Sequence, residues 1–359
     1  MSKNYEDYKP LNPQPPRKRK NVGLVFIKYA ILLLLVMALA LSALFFITSH
    51  ESENGGNKAE VPTLNTDNNH NDPADTTDNT TIPPETEDDP EPVEPEVVYT
   101  NVEVDKSGIN KGGLILVMNN HKVVYPTAEE LVKLSSVKTK SYKISTNTMT
   151  AHKDIIDAMN KMLDDFAAAT GHTDLILWTS YRDEARQKQV YDDYVKKYGE
   201  EAAKTAVAKP GESDHNTGLG IAIRVYRNGK SYQLHELEGY NWLEENCHKY
   251  GFVERYPDDK IATTGLDYSS SFYLRYVGVP HAEYMKKNNL CLEEYIVKLS
   301  NYVYGGAHIE VVTDDGKAYE IYFVSGETDG EKVNIPVPEG KEYTISGNNI
   351  NGFIVTASK

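Results

Sequence analysis

The sequence predicts an α+β protein that is preceded by one transmembrane helix and followed by a small β module. Three observations support this prediction. An apolar run without charges lies near the N-terminus, helix and strand patterns mix between residues 100 and 304, and residues 305–359 contain only strand and turn patterns. The 359 residues leave room for one or two folded domains with a substantial core.

The N-terminal segment is typical of a membrane anchor. The run Tyr29–Ile47 carries no charge, and its length is close to the roughly 20 residues that cross a bilayer. The basic cluster Arg17–Lys20 precedes it, which keeps the N-terminus inside the cell. We predict a cytoplasmic tail over 1–21, an anchor over 22–48 in the plasma membrane, and an extracytoplasmic remainder. The alternative is a cleaved signal peptide, because Ala38–Ala40 resembles a cleavage site.

Residues 49–99 predict a disordered acidic tether. Between Glu51 and Glu96 there are 14 acidic residues and one basic residue, Lys58, and almost no large apolar residues. Such a segment cannot bury enough surface to fold. It accounts for most of the formal net charge of -15. The remainder of the chain is near neutral, so the sequence gives no indication of nucleic-acid binding.

Helices and strands alternate over residues 100–304. Apolar residues recur at helical spacing within 151–169, and a short strand follows over 175–182. The Asn228-Gly229 dipeptide between two apolar runs predicts a β-hairpin. The remaining predicted elements are helices over 183–199, 200–208, 236–251 and 280–303, and a strand over 272–278.

The C-terminal segment 305–359 predicts a small β module. One hairpin is centred on Asp315-Gly316, and a second strand pair lies within 343–358. The segment has no cluster of nucleophile, base and acid. It is therefore interpreted as a packing or contact element.

Four collinear stretches suggest a family. They are TSYRDEARQ (179–187), SDHNTGLGIAIRVY (213–226), HKYGFVERYP (248–257) and FYLRYVG (272–278). Together they resemble the VanY-type D-alanyl-D-alanine carboxypeptidases, within the wider group of lysostaphin-like and hedgehog-like zinc folds. The resemblance covers about residues 105–300. It implies an antiparallel sheet with flanking helices, as a carboxypeptidase-like domain over 100–304.

The resemblance also implies a chemistry. In that family zinc is held by His, Asp and a second His, a Glu is the general base, and an Arg holds the terminal carboxylate of the stem peptide. Three protein ligands leave one position open for a water whose pKa the metal lowers to about 7.

This sequence keeps only some of the family's zinc ligands, general base and carboxylate-binding arginine. Arg182 matches the carboxylate clamp and His215 the first ligand, whereas Ala222 stands at the Asp position and Tyr273 at the second His. The base position holds Ser270, or Ser269 if the segment is one residue longer. Neither alanine nor a neutral phenol is a useful zinc ligand. We therefore expect no zinc and no hydrolysis, and a remaining cleft for a peptide carboxylate formed by Tyr181, Arg182, Gln187, Ser213 and His215.

Two alternatives remain open at this point. One is an active D,D-carboxypeptidase with zinc in a rearranged site that uses Asp214, Asp267 or His281. The other is a structural protein whose cleft has no ligand. Asp214 is expected to face solvent and His281 to begin the last helix, while the Arg224 cation, two residues from Ala222, is expected near the former metal position. Cys247 and Cys291 are either two buried thiols or a disulfide.

Overall fold

The computed structural model describes residues 97–118, 120–268 and 272–359. The predicted cytoplasmic tail, the anchor and nearly all of the tether lie outside these residues, as do Ser269 and Ser270. Within the described part, none of the helices combines the length and the apolar character that a bilayer crossing needs. Residues 97–359 belong to one compact unit.

A mostly antiparallel sheet of six strands forms the centre of the first part of the chain. Its order is β3-β5-β6-β9-β8, and β7 pairs with β6 beyond the turn at Asn228-Gly229. Only β3 and β5 run parallel. The strands are β3 (Lys143–Ile144), β5 (Leu175–Thr179), β6 (Gly220–Arg227), β7 (Lys230–Tyr232), β8 (Phe252–Glu254) and β9 (Phe272–Tyr276); β2 (Leu131–Lys133) and β4 (Thr150–His152) form a separate pair.

Helices flank this sheet, as the sequence predicts for an α+β fold. The helices of the described part are α1 (Leu134–Val137), α2 (Ile156–Thr170), α3 (Glu184–Tyr198), α4 (Glu200–Ala206), α5 (Trp242–Asn246), α6 (Ile261–Thr264), α7 (Val279–Lys287) and α8 (Leu292–Leu299). Gly171 ends α2 in the left-handed conformation, with φ 74°, a conformation that glycine adopts without steric cost.

The two faces of the sheet have different roles. Side chains alternate between the faces of a strand, and on one face Leu177, Ile221, Ile223 and Leu274 join the buried face of α2 in the largest apolar core. The opposite face carries Ala222, Tyr273 and other side chains in a separate aromatic cluster. The fold therefore leaves the second face for the candidate site.

The C-terminal strands form the predicted β module. A four-stranded antiparallel sheet has the order β10-β11-β14-β13, and β12 pairs with the first described strand, β1. Its strands are β1 (Tyr99–Asp105), β10 (Ile309–Val312), β11 (Ala318–Ser325), β12 (Lys332–Pro338), β13 (Tyr343–Gly347) and β14 (Gly352–Ser358). The start of the 100–304 segment is thus paired with the module that follows this segment.

A shared core joins the module to the rest. Apolar side chains of α7 and α8 pack with β10, β11 and β14, among them Met285, Ile296, Ile321 and Phe323. Within this joint His281 contacts Tyr295 Oη through Nδ1 at 2.8 Å and Thr356 Oγ1 through Nε2 at 2.9 Å. The module is therefore packed as part of the same body.

Several predicted elements need correction. The helix expected over 236–251 is reduced to α5 and a 3-10 turn, which ends at Gly251 as expected. The helix expected over 280–303 is two helices, because the chain turns at Asn289, where φ is 50°. The helices expected over 183–199 and 200–208 are confirmed as α3 and α4.

Candidate functional site

His215 lies at the centre of the candidate site. It is buried in a short 3-10 turn, Asp214–Thr217, that precedes β6. Its Nδ1 lies 2.7 Å from the Ser180 carbonyl. A carbonyl only accepts, so Nδ1 carries the proton and Nε2 presents a lone pair. Nε2 is buried and has no hydrogen-bond partner among the described residues.

The imidazole is held in its neutral form. Burial, reinforced by the nearby Arg182 cation, lowers the pKa of His215 well below its usual value, and the Ser180 carbonyl opposes this only in part. At neutral pH the ring is therefore uncharged.

Ala222 and Tyr273 are directly opposite each other in the β6–β9 pair. The Tyr273 ring meets the His215 ring edge to face, with 4.5 Å between centroids. Its hydroxyl is buried and has no hydrogen-bond partner in the described part of the chain. A Cβ at Gly220 would overlap this hydroxyl, so the absence of a side chain at Gly220 gives the phenol its place.

Further tyrosines close the site. Tyr256 stacks on Tyr268 at 4.6 Å and lies 5.9 Å from Tyr273. Trp178 and Leu266 pack against the same cluster, which contains Ala222. Burial raises the pKa of Tyr273 well above its usual value, so the phenol stays neutral and is a poor metal ligand.

The residues expected to face a peptide divide into two groups. Ser213, His215 and Gln187 are buried, whereas Arg182 and Tyr181 are partly exposed. Arg182 donates from Nη1 to Gln187 Oε1 at 3.2 Å, and Gln187 donates to the Ala208 carbonyl at 2.7 Å. Arg182, Gln187, Ser213 and His215 are thus connected, because the Arg182 amide donates to the His215 carbonyl at 2.9 Å and the His215 amide donates to Ser213 Oγ at 3.3 Å. Arg182 also forms a side-chain hydrogen bond with Tyr268.

Asp214 is not a surface residue, contrary to expectation. It is 1 % exposed and forms ion pairs with both Arg255 and Arg275. Arg255 also binds Glu293 through two hydrogen bonds of 2.7 and 3.0 Å. Two cations and two carboxylates thus balance in the interior, as buried charges require. The cluster fixes the turn that carries His215.

Comparisons with known proteins agree with this architecture. The family model described as VanY, D-alanyl-D-alanine carboxypeptidase, matches residues 148–279. A D-alanyl-D-alanine carboxypeptidase of Enterococcus faecium is 34% identical over 257 residues, which cover 69% of this chain and 76% of that protein. The chain belongs to the VanY family of D-alanyl-D-alanine carboxypeptidases.

One further sequence relative and one solved structure are also similar to this VanY-family chain. A D-alanyl-D-alanine carboxypeptidase of Enterococcus faecalis is 31% identical over 192 residues, covering 51% of this chain and 65% of that protein. The crystal structure of the vancomycin-resistance D,D-dipeptidase VanXYg, in complex with a D-Ala-D-Ala phosphinate analogue, is 27% identical with a TM-score of 0.64. It covers 73% of this chain and 100% of that one. The predicted VanY-like fold is confirmed.

The zinc that the family implies does not fit the residues present. His215 offers a correctly protonated ring, but the two other ligand positions hold a methyl group, on Ala222, and the neutral phenol of Tyr273. Among the residues described, no three His, Cys, Asp or Glu side chains lie close enough together to hold a metal ion. The base position, Ser270 or Ser269, lies outside the described residues.

Of the residues considered for a rearranged metal site, two are engaged elsewhere. Asp214 is neutralised by two arginines, and His281 sits in α7 at the joint with the β module. Asp267 belongs to no group of three potential metal ligands among the described residues. Arg224 does share a face with Ala222, and its guanidinium lies over Trp178 at 5.4 Å. Cys247 and Cys291 are both free and buried.

Several site residues escaped the sequence reasoning. Arg255 and Arg275 stand in the quoted stretches HKYGFVERYP and FYLRYVG, but no role was assigned to them. Tyr256 and Tyr268 also went unnoticed. A signal existed only for the arginines, because Arg275 lies within the largely apolar β9 and Arg255 directly follows β8, and a buried cation needs a carboxylate partner.

Proposed function

We propose that this VanY-family chain is a membrane-anchored, outward-facing protein that binds peptidoglycan stem peptides without hydrolysing them. The observation that carries the proposal is the Tyr273 phenol opposite Ala222, beside a neutral and buried His215. This arrangement supplies one metal ligand where the chemistry needs three.

Peptide binding is supported by the exposed part of the site. Arg182 lies in the stretch TSYRDEARQ, which resembles the family, and its side chain is partly exposed. The planar guanidinium can donate two parallel hydrogen bonds to a terminal carboxylate. The relatives named above are D-alanyl-D-alanine carboxypeptidases. A peptide that ends in D-Ala-D-Ala is therefore the proposed ligand, with its carboxylate at Arg182 and with Tyr181 beside it.

The binding test is a titration of the isotope-labelled full chain in detergent, followed by NMR. Without a metal anchor the dissociation constant should be on the order of 0.1 to 1 mM. Arg182→Ala and an amidated peptide C-terminus should each abolish binding. The matched control is Arg186→Ala, since Arg186 is exposed one turn along and contacts Gln189 at 2.7 Å. An amide that binds as well as the acid would leave the structural-protein alternative.

Zinc analysis separates the proposal from its enzymatic alternative, an active D,D-carboxypeptidase with a rearranged metal site. The proposal predicts no stoichiometric zinc in the purified protein. About one tightly bound zinc per chain, lost on His215→Ala, would establish the alternative.

The membrane part of the proposal has a separate test. Protease added outside intact cells should remove the folded part and leave the N-terminus protected, as the basic cluster before the apolar run predicts. Release of the folded part into the medium with a new N-terminus near Leu41 would establish a cleaved signal peptide instead.

A further inference from the structure

A cavity of about 400 Å³ lies next to the aromatic cluster of Tyr256, Tyr268 and Tyr273. Its walls are largely apolar and include Val117, Val207 and Leu266. Tyr256 also lines it, and the same ring packs against Tyr268 and Tyr273. The cavity and this aromatic cluster therefore share the Tyr256 ring. The volume of the cavity lies within the usual range for small-ligand sites.

The charges that line this cavity are of two kinds. Arg255 is neutralised by Asp214 and Glu293, and Lys204 is paired with Glu201 at 2.6 Å. Lys209 and Glu212 also line the cavity, and neither forms an ion pair with any residue in the described ranges. One free ammonium and one free carboxylate therefore remain for a ligand.

The spacing of these two groups is set by a turn. The Glu212 amide donates to the Lys209 carbonyl at 3.0 Å, and Gly211, between them, has φ 81°. The turn therefore holds the backbones of Lys209 and Glu212 close together beside the cavity. Lys209 is exposed and Glu212 is partly exposed, so water solvates both charges in the free protein, and only a ligand with both charges can pair with both groups.

We propose that this cavity binds a small zwitterion with an apolar side chain, such as a free amino acid or the corresponding end of a short peptide. The ligand carboxylate pairs with Lys209, its ammonium pairs with Glu212, and its side chain packs on Val207 and Leu266. Charge-assisted hydrogen bonds of both signs give the selectivity, and burial of the apolar side chain adds affinity.

This site goes beyond the proposed function and does not depend on it. Arg182 does not line the cavity, although it connects to the wall through Gln187 and the Ala208 carbonyl. The carboxylate clamp needs only a carboxylate, whereas the cavity needs both charges. The two sites can therefore be tested with different probes.

The experiment titrates the full chain in detergent with free leucine, D and L, and follows the methyl signals of Val117, Val207 and Leu266 by NMR. We expect saturable shifts for leucine, and affinities about tenfold weaker for N-acetyl-leucine and leucine amide, which each lack one charge. Lys209→Met and Glu212→Gln should weaken leucine binding about five- to tenfold. Lys204→Met, the matched control, should change it less than about twofold.

Three results would overturn the inference: unchanged methyl signals, equal binding of leucine and N-acetyl-leucine, or equal losses in the Lys204 and Lys209 variants. Its failure is distinguishable from failure of the proposed function. Loss of leucine binding in Lys209→Met, with stem-peptide binding intact, supports two separate sites. If the stem peptide fails to bind wild type while leucine still binds, only the proposed function fails.

Discussion

The rings of His215 and Tyr273 meet edge to face at 4.5 Å, and each presents a buried polar atom without a hydrogen-bond partner among the described residues. Unsatisfied buried polar groups cost stability and are rare in folded proteins. The resemblance to the VanY family assigns two of its metal ligands to these two positions. The Ser180 carbonyl fixes the Nδ1 proton of His215, while the neutral phenol of Tyr273 stands opposite Ala222.

The Tyr273 hydroxyl should contribute little or nothing to stability. Because it is buried without a partner, Tyr273→Phe should leave the free energy of unfolding unchanged or raise it by about 1 kcal/mol. Tyr273→Ala should lower it by about 3 to 5 kcal/mol, because it leaves a cavity in the aromatic cluster. Urea unfolding of the three proteins measures both effects. A Phe variant less stable than wild type by more than about 1 kcal/mol would mean that the hydroxyl has a partner.

Restoring two ligands should restore zinc binding. Positions 222 and 273 face each other across β6 and β9, and the His215 lone pair is already set by the Ser180 carbonyl. We expect Ala222→Asp combined with Tyr273→His to bind about one zinc per chain and to gain thermal stability when zinc is added.

The single variant Tyr273→His is the control for this experiment, since it supplies only two ligands. It should bind zinc much more weakly than the double variant. A double variant that folds but shows neither metal content nor zinc-dependent stabilisation would mean that the strands no longer hold the two positions at ligand distance.

Local patterns in the sequence predicted the elements that depend on local contacts. Asn228 and Gly229 both adopt positive φ in the hairpin turn, a conformation that asparagine tolerates and that glycine adopts without steric cost. The helical spacing of Met159, Leu163 and Phe166 gave α2 within a few residues. The sequence also shows departures from the family's ligand pattern at Ala222 and Tyr273, because these need only the motif positions; the loss of zinc binding stays a prediction.

Local sequence patterns did not predict the contacts between residues that are far apart in the chain. β1 pairs with β12 across more than two hundred residues, and no local pattern encodes such a pairing. Asp214 stands in a polar run that is typical of an exposed turn, yet it is buried in ion pairs with Arg275 of β9 and with Arg255, which directly follows β8. The packing of Tyr256 and Tyr268 around Tyr273 is also non-local, and a single motif does not reveal it.

The buried charge cluster predicts a large cost for removing one member. Asp214→Asn leaves Arg275 and part of Arg255 without a counter-charge in the interior, so we expect a loss of about 3 to 5 kcal/mol in the free energy of unfolding. The control is Asp192→Asn, which breaks the exposed pair with Lys188 on α3 and should change stability little. Chemical denaturation measures both. Equal and small effects would show that the cluster does not hold the His215 turn.

The histidine at the joint with the β module predicts how stability depends on pH. Burial lowers the pKa of His281 from 6.5 to about 3, and its two contacts, Tyr295 and Thr356, are uncharged. The folded-state pKa is below the unfolded one, so the stabilisation is complete above about pH 6.5 and is lost as pH falls towards 3.

The variant His281→Gln removes this proton uptake. The stability advantage of wild type over the variant should therefore shrink by about 1.4 kcal/mol per pH unit below pH 6. Urea unfolding of wild type and His281→Gln at pH 7.5, 6, 5 and 4.5 measures it, with the exposed His235→Gln as the control for the substitution itself. A His281→Gln curve parallel to wild type would show that the imidazole takes up its proton in the folded state as readily as in the unfolded chain.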